Sequence, residues 1–285
     1  MAQRFTAAIS SLFSESASAA EVRRRHGKCE SWIVKAKVSL FVPCFVDQLL
    51  PEAAIDTVKV LRRVGYEVEF PEDQTCCGQP AFNTGYWNEA RPCAERFVRV
   101  FKHADVVVCP SGSCVTMVRT FYPDLLAASS LHEDALALAS RTFELSEFLV
   151  KVAAVTQVGA AFPHSVTYHA SCHGLRELHI HDEPLQLLRQ VEGLKLIEMT
   201  RSEECCGFGG TFAAKFADIS AAMGTSKAES VAATGAEFVT ATDPSCLMHL
   251  QGILGKRQAP TRTIYLASIL AQQSLSQKSS AQERP

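Results

Sequence analysis

One cysteine pattern occurs twice in this chain, and the repeat limits both its fold and its function. In each copy a single cysteine precedes an adjacent cysteine pair followed by glycine, and a fourth cysteine comes later. The two copies comprise Cys44, Cys76, Cys77 and Cys114, and Cys172, Cys205, Cys206 and Cys246. Residues 105–114 and 141–149 also align with residues 237–246 and 262–270, in the same order. The sequence therefore predicts a duplicated domain.

The cysteine count indicates metal or redox chemistry rather than disulfides. The chain has 11 cysteines among 285 residues, an odd number, and residues 1–30 lack the continuous apolar stretch of a secretory signal. We therefore expect a cytoplasmic protein in a reducing compartment, where thiols serve as ligands or redox groups. Three cysteines outside the repeat, Cys29, Cys93 and Cys109, are interpreted as ordinary thiols.

Charge and hydropathy exclude two further classes of function. The formal net charge of −2 argues against a nucleic-acid binder that depends on bulk attraction to phosphate. The longest apolar runs are well short of the roughly 20 residues that a membrane-spanning helix needs. We expect no transmembrane segment, and peripheral contact with a membrane remains open.

Strand-like and helix-like segments alternate through both copies of the repeat. Strands are predicted at 38–43, 66–70, 105–109, 165–169, 194–199 and 236–241, and helices at 49–64, 87–103, 184–191 and 211–234. This alternation predicts an α/β fold of two homologous βαβ-type halves with mainly parallel sheets. The domains are placed at 38–150 and 160–271, between tails at 1–37 and 272–285.

The eight repeated cysteines are predicted to form one site in each half. They follow strands, and ligands gather at the carboxyl ends of the strands in open α/β sheets. Thiolates select zinc, copper(I) or iron–sulfur clusters. Two adjacent cysteines fit poorly on one tetrahedral ion, whereas a polynuclear cluster can take them on different irons. We expect an iron–sulfur cluster, [4Fe–4S] in type, with zinc as an alternative in one half on the same cysteines.

Histidines near Cys172 offer further donors to such a site. His164, His169 and His173 are interpreted as polar residues at the mouth of a loop. The alternatives left open are a hydrogen-bond donor to a cluster sulfur and a mixed-ligand partner for zinc.

The motifs resemble those of the cysteine-rich CCG family. The stretches that carry this resemblance include Cys76-Cys-Gly-Gln-Pro-Ala81 and Cys205-Cys-Gly-Phe-Gly-Gly-Thr-Phe212. The resemblance is strongest to the lactate-utilisation protein A group of that family, which also contains the heterodisulfide reductase B subunit and the glycolate oxidase iron–sulfur subunit. The family motif ends in Cys-x-x-Cys, but its first cysteine is Ser111 in one half and Asp243 in the other. Asp243 is a candidate additional ligand, since its carboxylate oxygen could bind an iron.

This resemblance implies an iron–sulfur electron-transfer component of a system that oxidises L-lactate to pyruvate. Such a chain would be an oxidoreductase subunit that acts with two other lactate-utilisation proteins, an iron–sulfur subunit and an accessory subunit. The alternatives are a heterodisulfide-reductase-like thiol–disulfide reductase subunit, a glycolate-oxidase-type iron–sulfur subunit and a zinc-stabilised assembly scaffold. The run Gly207-Phe-Gly209-Gly210 does not fit G-x-G-x-x-G, so a nicotinamide cofactor is not expected.

Overall fold

The computed structural model describes residues 35–273, which form two halves of the same design. The first half contains β1 (Lys35–Leu40), α1 (Cys44–Leu49), α2 (Pro51–Arg63), β2 (Tyr66–Glu69), α3 (Gln79–Phe82), α4 (Trp87–Phe101), β3 (Val107–Cys109), α5 (Gly112–Thr116), a π-helical turn (Met117–Phe121), α6 (Tyr122–Leu125), α7 (His132–Ala139), β4 (Thr142–Glu144), α8 (Leu145–Glu147) and a second π-helical turn (Phe148–Val152).

The second half repeats this order of strands and helices. It contains β5 (Ser165–His169), α9 (Cys172–Arg176), α10 (Glu183–Arg189), β6 (Lys195–Ile197), α11 (Thr211–Lys215), α12 (Ala217–Ala233), β7 (Phe238–Ala241), α13 (Pro244–Lys256), β8 (Arg262–Thr263) and α14 (Leu266–Ala271).

Each half forms a four-stranded parallel sheet, and the two sheets have equivalent strand orders. The orders are β2-β1-β3-β4 and β6-β5-β7-β8, and every pairing between neighbouring strands is parallel. This confirms the predicted α/β fold with two homologous halves. Among residues 35–273, no helix combines the length and the apolar character that crossing a bilayer requires.

Several helix and strand boundaries in the structure differ from those predicted from the sequence. The helix predicted over 211–234 is broken at Phe216, whose φ of −127° and ψ of 55° are not helical. The edge strands β4 and β8 lie in the aligned segments 141–149 and 262–270, for which the sequence predicts a repeat but no strand. β1 begins at Lys35, inside the span assigned to the first tail. The rest of that tail, and residues 274–285 of the second, lie outside the described residues.

The long helices follow from local sequence signals. α2 begins with Pro51 in its first turn, where the missing N–H costs no helical hydrogen bond. Its buried face includes Ala54, Val58 and Leu61, which recur at helical spacing. It ends before Gly65, whose φ of 91° suits glycine. α13 begins in the same way, with Asp243 as its N-cap and a proline in its first turn.

An apolar cluster extends across both halves, and hydrogen bonds also connect them. A single apolar cluster includes Val38 and Leu40 of β1 together with Val166 of β5 and Val239 of β7. At the periphery, the Arg63 guanidinium donates to the carbonyl oxygens of Leu270 (2.8 Å) and Val158 (3.3 Å), and also to Ala271. Arg63 thereby ties α2 of the first half to the end of α14 in the second.

Asp243 joins the halves at the centre of the molecule. It is 2% exposed, and its Oδ2 accepts hydrogen bonds from Ser111 Oγ (3.2 Å) and the Ser113 backbone N–H (2.9 Å). Its Oδ1 accepts from the Ser245 backbone N–H (3.1 Å) and Ser245 Oγ (2.5 Å). The two positions where this chain departs from the family motif therefore contact each other, across the boundary between the halves.

We predict that Asp243→Asn weakens this junction. Asparagine keeps only one acceptor oxygen for four donors, so the free energy of unfolding should fall by about 2 kcal/mol. Urea denaturation of the purified protein measures the change. The matched control is Asp182→Asn: Asp182 is an exposed helix N-cap whose side chain makes no capping hydrogen bond. The control should cost less than about 0.5 kcal/mol, and equal losses in the two variants would contradict the role of Asp243.

Candidate functional site: two cysteine sets in one cleft

The repeated cysteines all follow strands on the side where the parallel strands end. Cys44 and Cys172 begin α1 and α9, shortly after β1 and β5. The two Cys-Cys pairs lie in the loops after β2 and β6, whereas Cys114 and Cys246 lie in α5 and α13. Parallel pairing brings the carboxyl ends of neighbouring strands to one edge, so three separate segments meet in each half.

The four thiols of the first half form a connected group. Cys77 Sγ lies 3.6 Å from Cys114 Sγ, and the Gly78 N–H donates to Cys76 Sγ at 3.4 Å. Hydrogen bonds from the thiols of Cys44 and Cys77, reinforced by the Gly78 N–H, lower the pKa of Cys76 to about 3. One thiolate per set is thus favoured even without a metal, and thiolates are the form that binds metals.

The second half repeats this arrangement. The Gly207 N–H donates to Cys205 Sγ at 3.3 Å. Hydrogen bonds from the Cys172 and Cys206 thiols lower the pKa of Cys205 to about 2, and the Gly207 N–H contributes further. Cys206 and Cys246 are almost fully buried, at 2% and 6% exposure. The structure therefore brings together all four predicted cysteines in each half.

The glycine after each pair is required by the backbone and by packing. Gly78 and Gly207 have φ angles of 84° and 89°, which side chains rarely adopt. A Cβ at Gly207 would lie 2.6 Å from the Ser220 carbonyl oxygen, and one at Gly78 would lie 3.1 Å from that of Ala90. Each Cys-Cys loop therefore packs directly on the long helix that follows it.

Both sets of cysteines open into one cavity between the halves. This cavity has a volume of about 450 Å³, and all eight repeated cysteines line it, together with Ser111, His173 and Asp243. Phe45 of the first half and Phe208 of the second also line it, and their ring centroids are 6.0 Å apart. The sequence predicted one site per half but gave no sign that the two would share a cleft.

Cys93 and Cys109, the other cysteines among the described residues, do not line the cavity. Cys93 is half-buried on α4, and Cys109 is fully buried, with its Sγ 3.7 Å from the Ser111 carbonyl oxygen. Burial raises the pKa of both thiols. Cys29 lies outside the described residues.

Of the three histidines considered as donors, only His173 lies at the mouth of the site. Its Nδ1 is 3.9 Å from Cys172 Sγ. His164 instead pairs with Glu237, with 3.1 Å between Nδ1 and Oε1. The interpretation of His169 as a residue at the loop mouth is wrong, because it ends β5 and is fully buried.

His169 lies behind the second cysteine set. One ligand atom each from His169, Cys206 and Cys246 lie within 4.8 Å of one another. Burial, assisted by Lys227, lowers the pKa of His169 to about 4 and keeps the imidazole neutral near pH 7. The backbone of Ser202 opposes this shift, yet neither ring nitrogen has a hydrogen-bond partner at normal geometry within the described part of the chain. The sequence signal for this residue was its place three positions before Cys172, where the first half has Phe41 before Cys44.

The donor set fits a thiophilic metal centre. Eight thiols converge from six segments, and both Asp243 oxygens already accept hydrogen bonds, so ligation by Asp243 would require breaking one of them. Sulfur-rich, half-buried sites of this kind are compatible with zinc or with iron–sulfur clusters.

Comparison with known proteins agrees with the duplicated architecture. The CCG cysteine-rich domain profile matches residues 38–119 and 166–251. Proteins named lactate utilization protein A from Bacillus pumilus (strain SAFR-032) and Bacillus subtilis (strain 168) are each 44% identical to this chain over 235 residues. Each alignment covers 82% of this chain and 98% of the relative.

A solved structure supports the fold alone. A hypothetical protein from Helicobacter pylori superposes with a TM-score of 0.55 at 11% identity, covering 82% of this chain and 48% of that one. The two profile matches include all eight repeated cysteines. The chain therefore belongs to the CCG cysteine-rich domain family, and its relatives within that family are named lactate utilization protein A.

Proposed function

We propose that this protein takes part in lactate utilisation, as an iron–sulfur electron-transfer component of a system that oxidises L-lactate to pyruvate. The names of its relatives support the metabolic role. The observation that carries the chemical role is the single cleft lined by two complete sets of four cysteines. Two partner proteins, an iron–sulfur subunit and an accessory subunit, and a cytoplasmic location belong to the same proposal.

The chain's own residues would hold and shield the clusters. Each set provides four sulfurs, enough for one [4Fe–4S] cluster, and a bound cluster supplies one-electron transfer. The readily ionised Cys76 and Cys205 give each set an initial thiolate ligand, and the Gly78 and Gly207 amides donate to those sulfurs. Phe45 and Phe208 face each other across the cleft, with ring centroids 6.0 Å apart, and would cover part of a bound cluster.

Electron counting explains why such a protein would need partners. Oxidation of lactate to pyruvate releases two electrons and two protons, whereas cluster centres accept electrons one at a time. The substrate site and the final acceptor are assigned to the partner proteins, and this chain would relay the electrons. The protein's task is then to set the potential and the position of its centres.

Two alternatives make different use of the same cleft. A heterodisulfide-reductase-like or glycolate-oxidase-type subunit would use the full Cys-x-x-Cys motif. Here the positions of the missing cysteines hold Ser111 and Asp243, which are hydrogen-bonded to each other. A zinc-stabilised scaffold would use the same thiols without electron transfer, and metal analysis separates it from the proposal.

We predict that each cysteine set contributes separately to bound iron. Anaerobically purified protein should contain iron and acid-labile sulfide, and Cys76→Ser and Cys205→Ser should each lose about half of the iron. The half-buried Cys93 lies outside the cleft, so Cys93→Ser is the matched control and should keep all of it. Zinc without iron or sulfide would contradict the electron-transfer role, and full iron in Cys205→Ser would contradict the second site.

We also predict that lactate reduces the bound clusters only when the partner proteins are present. Under anaerobic conditions, L-lactate and the two partners should bleach the visible absorption of the protein. Lactate alone should leave it unchanged, because this chain would relay electrons rather than oxidise the substrate. Turnover of disulfides to thiols, without any response to lactate, would favour the thiol–disulfide reductase alternative.

A further inference from the structure

The two cysteine sets differ in the residues that lie behind them. Counting back three residues from the first cysteine of each set gives Phe41 in one half and His169 in the other. A second equivalence comes from the helices under the Cys-Cys-Gly loops. Gly78 packs on Ala90 and Cys93 of α4, and Gly207 packs on Ser220 and Met223 of α12 in the same way.

Four residues, about one helical turn, after Cys93 and Met223 come Phe97 and Lys227. These two residues therefore occupy equivalent positions in the two halves. Behind the first set, Phe41 and Phe97 form an apolar wall: their ring centroids are 4.7 Å apart with an interplanar angle of 87°, and both residues are buried. Behind the second set, the equivalent residues are His169 and Lys227, which are fully buried as well. The equivalent positions therefore hold two aromatic rings in one half and two nitrogen-bearing side chains in the other.

Lys227 has hydrogen-bond partners in the described part of the protein, whereas the imidazole of His169 has none of normal geometry. Lys227 Nζ donates to the carbonyl oxygens of Arg201 (2.5 Å) and Ser202 (3.1 Å), which precede the second Cys-Cys pair. Among residues 35–273, no group forms a hydrogen bond of normal geometry with either ring nitrogen of His169, although the Ser202 backbone lies near the ring. An unpartnered buried polar group costs about 1–3 kcal/mol, and a metal bound to the imidazole lone pair would remove part of this cost.

The geometry of the second set indicates that a metal ion could bind His169. The ligand atoms of His169, Cys206 and Cys246 lie within 4.8 Å of one another, and all three residues are buried. Zinc binds sulfur at about 2.3 Å and nitrogen at about 2.0 Å, so two donors on one such metal lie somewhat under 4 Å apart. Small side-chain adjustments would bring the three atoms onto one metal ion.

We propose that His169 is a metal ligand, so that the two halves hold chemically different centres. The first centre has only cysteine ligands against an aromatic wall. The second combines cysteine thiolates with one neutral imidazole beside the buried lysine. This inference rests on the proposed function only in requiring that the second cysteine set binds a metal.

The charge around the second centre differs from that around the first. His169 would be a fifth ligand beside four cysteines, so it adds no negative charge where a fifth thiolate would, and Lys227 adds a buried cation nearby. Iron–sulfur centres with histidine ligands have higher potentials than their all-cysteine counterparts. The second centre should therefore accept electrons more readily than the first, which gives the relay a direction.

Nitrogen hyperfine spectroscopy tests this ligation directly. The unmutated protein, labelled with heavy-nitrogen histidine and reduced anaerobically, is examined by electron–nuclear double resonance. If the second set holds zinc, cobalt(II) is substituted for it and the same measurement applies. We expect a strong coupling, of the size of a directly bonded nitrogen, that changes with the isotope. A metal bound at the second set without such a coupling overturns the inference.

Variants assign the coupling to one residue. His169→Phe, which copies the first half, should abolish it, whereas the control His173→Phe should keep it because His173 lies at the cleft mouth next to Cys172. His169→Cys should retain the metal, lose the coupling and lower the midpoint potential of one centre. Persistence of the coupling in His169→Phe would also overturn the proposal.

Metal content separates this inference from the proposed function. If the second set binds neither iron nor zinc, this inference fails, whereas the proposed function fails only if neither cysteine set binds an iron–sulfur cluster. If iron and sulfide are present and Cys205→Ser loses about half of the iron, the proposed function stands, and the nitrogen coupling alone decides the role of His169.

Discussion

The convergence of two parallel sheets on one cleft is the constraint on which the rest of this structure depends. Parallel strands place their carboxyl ends at a single edge, so cysteines far apart in sequence meet after three strands in each half. The shared apolar core then holds the two edges against the same cavity. Both sets of cysteines consequently line the same cleft instead of two separate sites.

The junction between the halves uses the positions where a cysteine is absent. Asp243 accepts hydrogen bonds from Ser111 and Ser113 of the other half while capping its own helix. A residue of the ligand motif has thus become part of the interface that keeps the cleft together. The same substitution that argues against a five-cysteine cluster provides rigidity between the four-cysteine sets.

Duplication followed by divergence explains why the two cysteine sets have similar loops but different residues behind them. The loops that carry the cysteines remained alike, down to the positive-φ glycine that packs on a helix. The layer behind them differs: it holds Phe41 and Phe97 in the first half and His169 and Lys227 in the second, so the polarity and charge beside the two sets are unequal. Two sites with equal thiol ligands can therefore differ in potential without any change in the repeated motif.

The sequence by itself determined the repeat, the alternation of strands and helices and the eight cysteines, because short-range patterns record these features. It also marked Asp243 as unusual, but not what the residue contacts. Only the tertiary structure decided that both cysteine sets share one cleft, that Asp243 and Ser111 meet, and that His169 is buried behind Cys206 and Cys246. These facts depend on packing between segments that are more than a hundred residues apart or that lie in and after different strands, and no local spacing encodes such distances.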